Sequence, residues 1–294
     1  MLVRRERHRK ALSMHIICVA QQKGGVGKTT LARLLCEHFA RSGRSTLAID
    51  LDQQCNLSSR FLPMEQLSEL GDGFVPPVHP QLVDQPGRDD VRSSVADFYF
   101  GREALPYATY LPELDILPGY GEKLRRVELV DDSRVKERVH DQLALALEPA
   151  ADQYDVCVID TSPSKGPLAV SALRAATHVL LPAVMEPQVV EGLLSMLYMC
   201  RRQNRARREP LQILGIVPNM FRSVQLHKGV LESLKAEKSL EGLIFPKTIG
   251  ARIAFAESDH HEAEPKSIFE LDVGDKARSE AEAFCAEVER RLAL

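Results

Sequence analysis

Gln21-Gln22-Lys23-Gly24-Gly25-Val26-Gly27-Lys28-Thr29-Thr30-Leu31 decides how this chain is read. Glycines at 24, 25 and 27 let the backbone wrap closely around an anion where a Cβ would collide. Placed between a strand and a helix, such a loop turns its backbone N–H groups toward a polyphosphate. The positive end of the helix dipole adds to the attraction. Lys28 is spaced to reach the β- and γ-phosphates and the Thr29 hydroxyl to ligate Mg²⁺, with Val26 and Thr30 completing the loop. The flanks supply the required context. His15 to Ala20 reads as a buried strand, Leu31, Leu34, Leu35, His38 and Phe39 recur at helical spacing, and Gly43 stops that helix. The chain binds a nucleoside triphosphate on this reading.

At 294 residues the chain can bury one substantial core. Strand patterns alternating with helical ones predict an α/β fold of three layers, a mostly parallel twisted sheet with helices on both faces. The nucleotide is then expected beyond the carboxyl ends of the strands. No apolar run approaches the roughly 20 residues that span a bilayer, and the N-terminus lacks a signal-peptide apolar region. The six cysteines (18, 36, 55, 157, 200 and 285) form no close-spaced pair, so reduced thiols and a cytoplasmic protein are expected. Residues 1–13 form a basic tail (Arg4, Arg5, Arg7, Arg9, Lys10) that reads either as a disordered arm or as a leader before a start at Met14. Residues 14–294 read as a single domain interrupted by a Pro/Gly-rich inserted loop at about 64–92. Tyr99, Tyr107 and Tyr110 read as packing residues, and His260-His261 among acidic neighbours as a solvated turn without zinc spacing.

Ordinary phosphate-binding loops need no cation at the position of Lys23. With it, the string resembles the deviant Walker A box of the ParA/MinD class of P-loop ATPases, most of all the ParA/Soj-type partition ATPases. That resemblance implies that Lys23 reaches the phosphates held by a partner subunit, so that ATP joins two subunits face to face. The remaining boxes follow in order. Thr46-Leu47-Ala48-Ile49-Asp50-Leu51-Asp52-Gln53-Gln54-Cys55-Asn56 is similar to the family's second box. It implies that Asp52 positions or deprotonates the attacking water while Asp50 supports the magnesium side. Gln53 and Cys55 depart from the usual Pro and Gly there, which touches loop geometry rather than chemistry. Tyr154 to Ser164 looks like the Walker B strand, with Asp160 holding Mg²⁺ through water. Further on, His178 to Ala183 and Leu211 to Val217 read as strands, and Glu186-Pro187-Gln188, Phe245-Pro246-Lys247 and Arg252 to Glu257 resemble the family's late segments. Asn219, after the last strand, is either the residue that reads the adenine edge or a turn former.

The resemblance covers nearly the whole chain and implies an ATP-dependent DNA partition protein. Its ATP-bound homodimer binds nonspecific double-stranded DNA, and hydrolysis stimulated by a ParB-like protein releases it at the nucleoid. The short basic tail leaves no room for an N-terminal helix-turn-helix domain. Candidate DNA contacts are Arg201, Arg202, Arg205, Arg208, Arg222 and Arg252, and the net charge of −3 does not oppose them because local fields decide. The first four otherwise read as a solvated helix end. Two alternatives stand beside this. A MinD-like membrane ATPase needs a basic amphipathic C-terminal helix, whereas Glu280 to Arg291 is acidic, so no membrane partner is expected. A biosynthetic ATP-dependent enzyme of the same fold is the other.

Overall fold

The computed structural model describes residues 14–66, 73–83, 91–205, 207, 209–259 and 267–294. The basic tail, His260-His261, Arg208 and parts of the 64–92 insertion lie outside them. In chain order the elements are β1 (His15–Val19), α1 (Lys28–Arg41), β2 (Thr46–Leu51), α2 (Asn56–Phe61), β3 (Glu65–Gln66) and β4 (Phe74–Val75). Then come β5 (Tyr107–Ala108), β6 (Leu114–Leu117), α3 (Gly121–Glu128), α4 (Ser133–Leu147), β7 (Val156–Thr161) and α5 (Pro167–Ala175). The chain closes with β8 (His178–Val184), α6 (Val189–Asn204), β9 (Gln212–Asn219), α7 (Gln225–Ala236), α8 (Ile253–Ser258) and α9 (Lys276–Leu292).

Residue alternation explains the layers. Along β1, Ile17 and Val19 enter one core while Cys18 and Ala20 enter the other; β2 divides Ala48 from Leu47, Ile49 and Leu51 in the same way. One core is closed by α1, α2 and α9, the other by α3, α4, α5 and α6. Between them runs a sheet in the order β5-β6-β2-β7-β1-β8-β9, parallel throughout except where β5 meets β6. The expected three-layer α/β architecture is what the chain adopts. The loops after β1, β2, β7, β8 and β9 therefore gather at one edge of the sheet, its carboxyl end. Among the described residues no helix is long and apolar enough to cross a membrane, and all six cysteines are free and buried.

The 64–92 insertion is less loose than its composition suggests. Its described part forms a small antiparallel hairpin, β3 with β4, and packs on the sheet edge. His79 is buried, donating its backbone N–H to Val91 O at 2.9 Å with its ring 4.5 Å from that of Tyr107. Tyr107 donates its hydroxyl to Pro77 O at 2.8 Å, which makes it a packing residue as expected. Pro and Gly signalled a break in regular structure, but single buried side chains, invisible to composition, hold this segment down.

Helix α1 carries an ion network inside the fold. Arg33 is 1% and Glu37 0% exposed. Arg33 donates to Ser258 O and Ser258 Oγ, both at 2.7 Å. Glu37 accepts from Tyr110 at 3.3 Å and from the Ser267 hydroxyl. One turn of α1 thus grips α8 and the chain that leads into α9. Removing one partner of a buried charged network leaves the other uncompensated. Arg33→Ala is expected to destabilise the fold by about 3–5 kcal/mol in urea unfolding, with Glu37→Gln added in the same chain restoring part of the loss.

Candidate functional site

Between β1 and α1 the backbone turns on Gly25 (φ 68°) and Gly27 (φ 85°), both in the left-handed region that favours glycine. A Cβ on Gly27 would also lie 2.2 Å from Asn219 Nδ2. That amide donates to Val26 O at 2.8 Å and clamps the loop to the end of β9. No side chain caps the start of α1, so its first N–H groups remain open to a ligand. Lys28 is buried there, donating to Lys23 O at 3.3 Å. Burial lowers its pKa, against the pull of Asp160 and Asp52. Thr29 lines the cleft beneath the loop, whereas Thr30 donates its hydroxyl to Asp259 Oδ2 at 2.7 Å and ties α1 to the end of α8. Lys23 stands apart from these. Its side chain is half exposed and its ammonium pairs with Glu186, in the loop after β8.

The acidic half of the site is set by strand register. Asp160 on β7 lies opposite Asp50 on β2 and opposite Val19 on β1, at the foot of the loop. Both carboxylates are fully buried. Asp50 is committed on each oxygen: Oδ1 accepts from Asp52 N at 3.0 Å, and Oδ2 from Ser58 N at 2.8 Å and Ser58 Oγ at 2.7 Å. Burial raises its pKa to about 6, with the Ser58 bonds pulling the other way. Neither oxygen of Asp160 meets a full hydrogen bond among the described residues. Burial and the facing Asp50 push its pKa well above the carboxylate range, while the nearby Thr29 hydroxyl and Lys28 pull it back. A buried carboxylate with unmet acceptors beside a hydroxyl is a fitting donor set for a hard divalent cation that retains waters. Asp50, expected on the magnesium side, uses its oxygens to hold the Asp52 loop. Asp52 is almost buried and accepts from Gln54 N at 3.0 Å through Oδ1.

Two clefts flank the loop. One, of 660 Å³, is lined by Lys28, Thr29, Asp52, Asn56, Glu128 and Ser164. The other, of 550 Å³, opens on the β9 side against Asn219, Met220, Ile249, Phe255 and Asp259. The first offers positive charge and open N–H groups, the second a part-apolar wall. The profile of a family described as an AAA domain matches residues 14–213. The chromosome partitioning protein ParA of Myxococcus xanthus is 31% identical over 238 residues, which cover 80% of this chain and 76% of that protein. The chain belongs to the ParA/MinD family of P-loop ATPases. ParA of Caulobacter vibrioides is 30% identical over 228 residues, 76% of each chain. Among solved structures, an ATP complex of Cyanothece McdA superposes with a TM-score of 0.73 at 20% identity, covering 96% of this chain and 97% of that one. A plasmid partition protein of Borrelia burgdorferi bound to AMPPNP gives 0.70 at 20% identity, covering 95% and 99%. At that identity the two structures establish the shared fold.

Within this ParA/MinD member the arginines singled out by sequence fall into different settings. Arg201, Arg202 and Arg205 are exposed at the end of α6. Arg207, passed over in that run, donates to Leu173 O at 2.8 Å and Ala176 O at 2.6 Å and so closes the end of α5. Arg252 is engaged by Glu280 through Nε at 2.9 Å and a second contact from Nη2, which balances its charge. Arg222 lines the β9-side cleft. Asn219 also lines it, with its amide nitrogen already given to Val26. Sequence reading missed Asp259 and Glu128, which come from distant segments and carry no local motif.

An unpartnered buried acid is destabilising where it must be charged. Asp160→Asn is expected to raise the thermal midpoint of the nucleotide-free protein by about 3 °C, equivalent to ~1 kcal/mol for a chain of this size. Both acids are raised on folding, so the native state holds extra protons near pH 5 and stability falls as pH rises, through about 6 for Asp50 and onward for Asp160, which lies well above the carboxylate range. The gain from Asp160→Asn should therefore be larger at pH 8 than at pH 5, as read by calorimetry.

Proposed function

We propose that this chain is an ATP-dependent DNA partition protein of the ParA type, with Mg²⁺ as its cation. The observation that carries the reading is the placement of Lys23. It opens the phosphate loop, yet its ammonium turns to an exposed pair with Glu186 at the rim of the β9-side cleft, while Lys28 lines the cleft beneath the loop. A second lysine held at the rim suits a group that completes a neighbour's site. An exposed ion pair contributes at most about 1 kcal/mol, so exchanging Glu186 for a partner's phosphates costs little. ATP then joins two subunits face to face, each Lys23 offsetting charge on the other's transferring phosphoryl group.

Within each subunit the open N–H groups of loop and helix hold the phosphates. Thr29 and Asp160 hold the metal, which neutralises phosphate charge when bound. Asp52, anchored through Oδ1 by Gln54 N, leaves Oδ2 to orient the attacking water. Asp50 keeps that loop in place from behind. Loss of the γ-phosphate removes the contacts that join the subunits. The ATP dimer binds nonspecific double-stranded DNA at the nucleoid of a cytoplasm through Arg201, Arg202 and Arg205. A ParB-like protein on the cargo stimulates hydrolysis and releases the dimer behind it.

Asp52→Ala is expected to bind ATP, dimerise and stay dimeric, with turnover reduced at least about a hundredfold. Lys28→Ala should lose nucleotide binding, and Lys23→Ala should keep it but remain monomeric in ATP by light scattering. DNA binding should require ATP and weaken steeply between 50 and 200 mM salt, as phosphate contacts do. Reversing Arg201, Arg202 and Arg205 to Glu should abolish it. DNA affinity that ignores nucleotide, or survives that reversal, would overturn the DNA assignment.

A further inference from the structure

Glu128 was not expected to matter, yet it lines the phosphate cleft. It is the last residue of α3, and its carboxylate reaches across to the loop that follows Asp160. Oε1 accepts the Ser164 hydroxyl and Oε2 accepts Leu168 N at 3.3 Å. Helix α5 needs this. Its N-cap is Gly166, which has no side chain to cap with, and Pro167 follows. Glu128 therefore supplies from another helix the acceptor and the negative charge that a helix start favours. A Cβ on Gly166 would lie 2.0 Å from Oε1, so glycine there is what lets the carboxylate in.

The other end of α3 touches the Asp52 loop. A Cβ on Gly121, its first residue, would lie 2.8 Å from Gln53 O. Just before it, Gly119 donates its N–H to Ser58 Oγ at 2.9 Å, and that hydroxyl donates in turn to Asp50 Oδ2. Between the two ends Leu124 and Val127 are buried in the core. Eight helical residues span about 12 Å and transmit displacement as a rigid piece.

We infer that α3 is a strut that sets the Asp52 loop and the loop after Asp160 relative to each other, with Glu128 as its positioning residue. This rests on the ATPase reading above. Glu128 does not act on the nucleotide; a loose carboxylate in that cleft would repel phosphate. Its two hydrogen bonds hold the charge against α5 and fix residues 162–166 beneath the phosphates. A displaced positioning group of this kind lowers turnover more than ground-state binding.

The test compares the full chain with Glu128→Ala, Glu128→Gln and Gly166→Ala. The last alters no acid, and its φ of −75° suits any residue, yet it evicts the carboxylate. Steady-state ATP turnover and amide hydrogen exchange without nucleotide are the readouts. Glu128→Ala and Gly166→Ala should each lower kcat about tenfold with KM for ATP changed less than about threefold. Both should speed exchange at 164–168 and also at 53–58. Glu128→Gln, which keeps one acceptor oxygen and a donor, should recover part of kcat. Faster exchange confined to 164–168 with unchanged kcat would reduce Glu128 to a local cap and overturn the strut. A parent protein that does not hydrolyse ATP would instead remove the ATPase reading, and the spread of exchange to 53–58 would still decide the strut.

Discussion

Asp50 and Asp160 face each other across adjacent parallel strands, both fully buried, and the arrangement around them follows from the need to tolerate two carboxylates there. Asp50 is made tolerable by hydrogen bonds from Ser58 and Asp52, and in accepting them it shapes the loop that presents Asp52. Asp160 is given no such bonds. The Thr29 hydroxyl and Lys28 offset its charge in part. The fold therefore carries a local electrostatic cost at these two strands, a pattern in which functional sites reduce stability.

Helix α1 joins this chemistry to the rest of the molecule. Its first residue is Lys28; one and two turns on, Arg33 and Glu37 are locked into the buried network that reaches Ser258, Asp259 and Ser267. Thr30 contributes a further bond to Asp259. The helix that opens at the phosphates is thus bound to both sides of the segment between α8 and α9.

Much of this was legible in the sequence because local chemistry dictates it. Gly25 and Gly27 announce left-handed backbone, and the pattern around Lys28 located the loop between β1 and α1. Apolar runs in β1, β2 and β7 marked buried strands, and Asp50 and Asp160 followed near the ends of the latter two. What stayed hidden depends on contacts between distant segments. Arg207 drew no reading from its sequence, and only the fold sets its guanidinium on the carbonyls that end α5. Arg252 looked available, and Glu280 on α9 claims it. Asn219 was open between reading the adenine edge and forming a turn, and only the fold shows its amide nitrogen on Val26 O. Glu128 sits in no motif, and only the fold brings it to Ser164.

The six buried thiols give the molecule an internal clock. Burial pushes Cys18, Cys36 and Cys285 well above the ordinary thiol range and Cys200 up to about 12. The reactive species is the thiolate, so an alkylating reagent meets almost none until a segment opens. Their positions sample separate units: Cys18 and Cys157 the central strands, Cys36 the phosphate helix, Cys55 the Asp52 loop, Cys200 the α6 layer and Cys285 the closing helix. The order in which they are alkylated is then the order in which parts of the fold come undone.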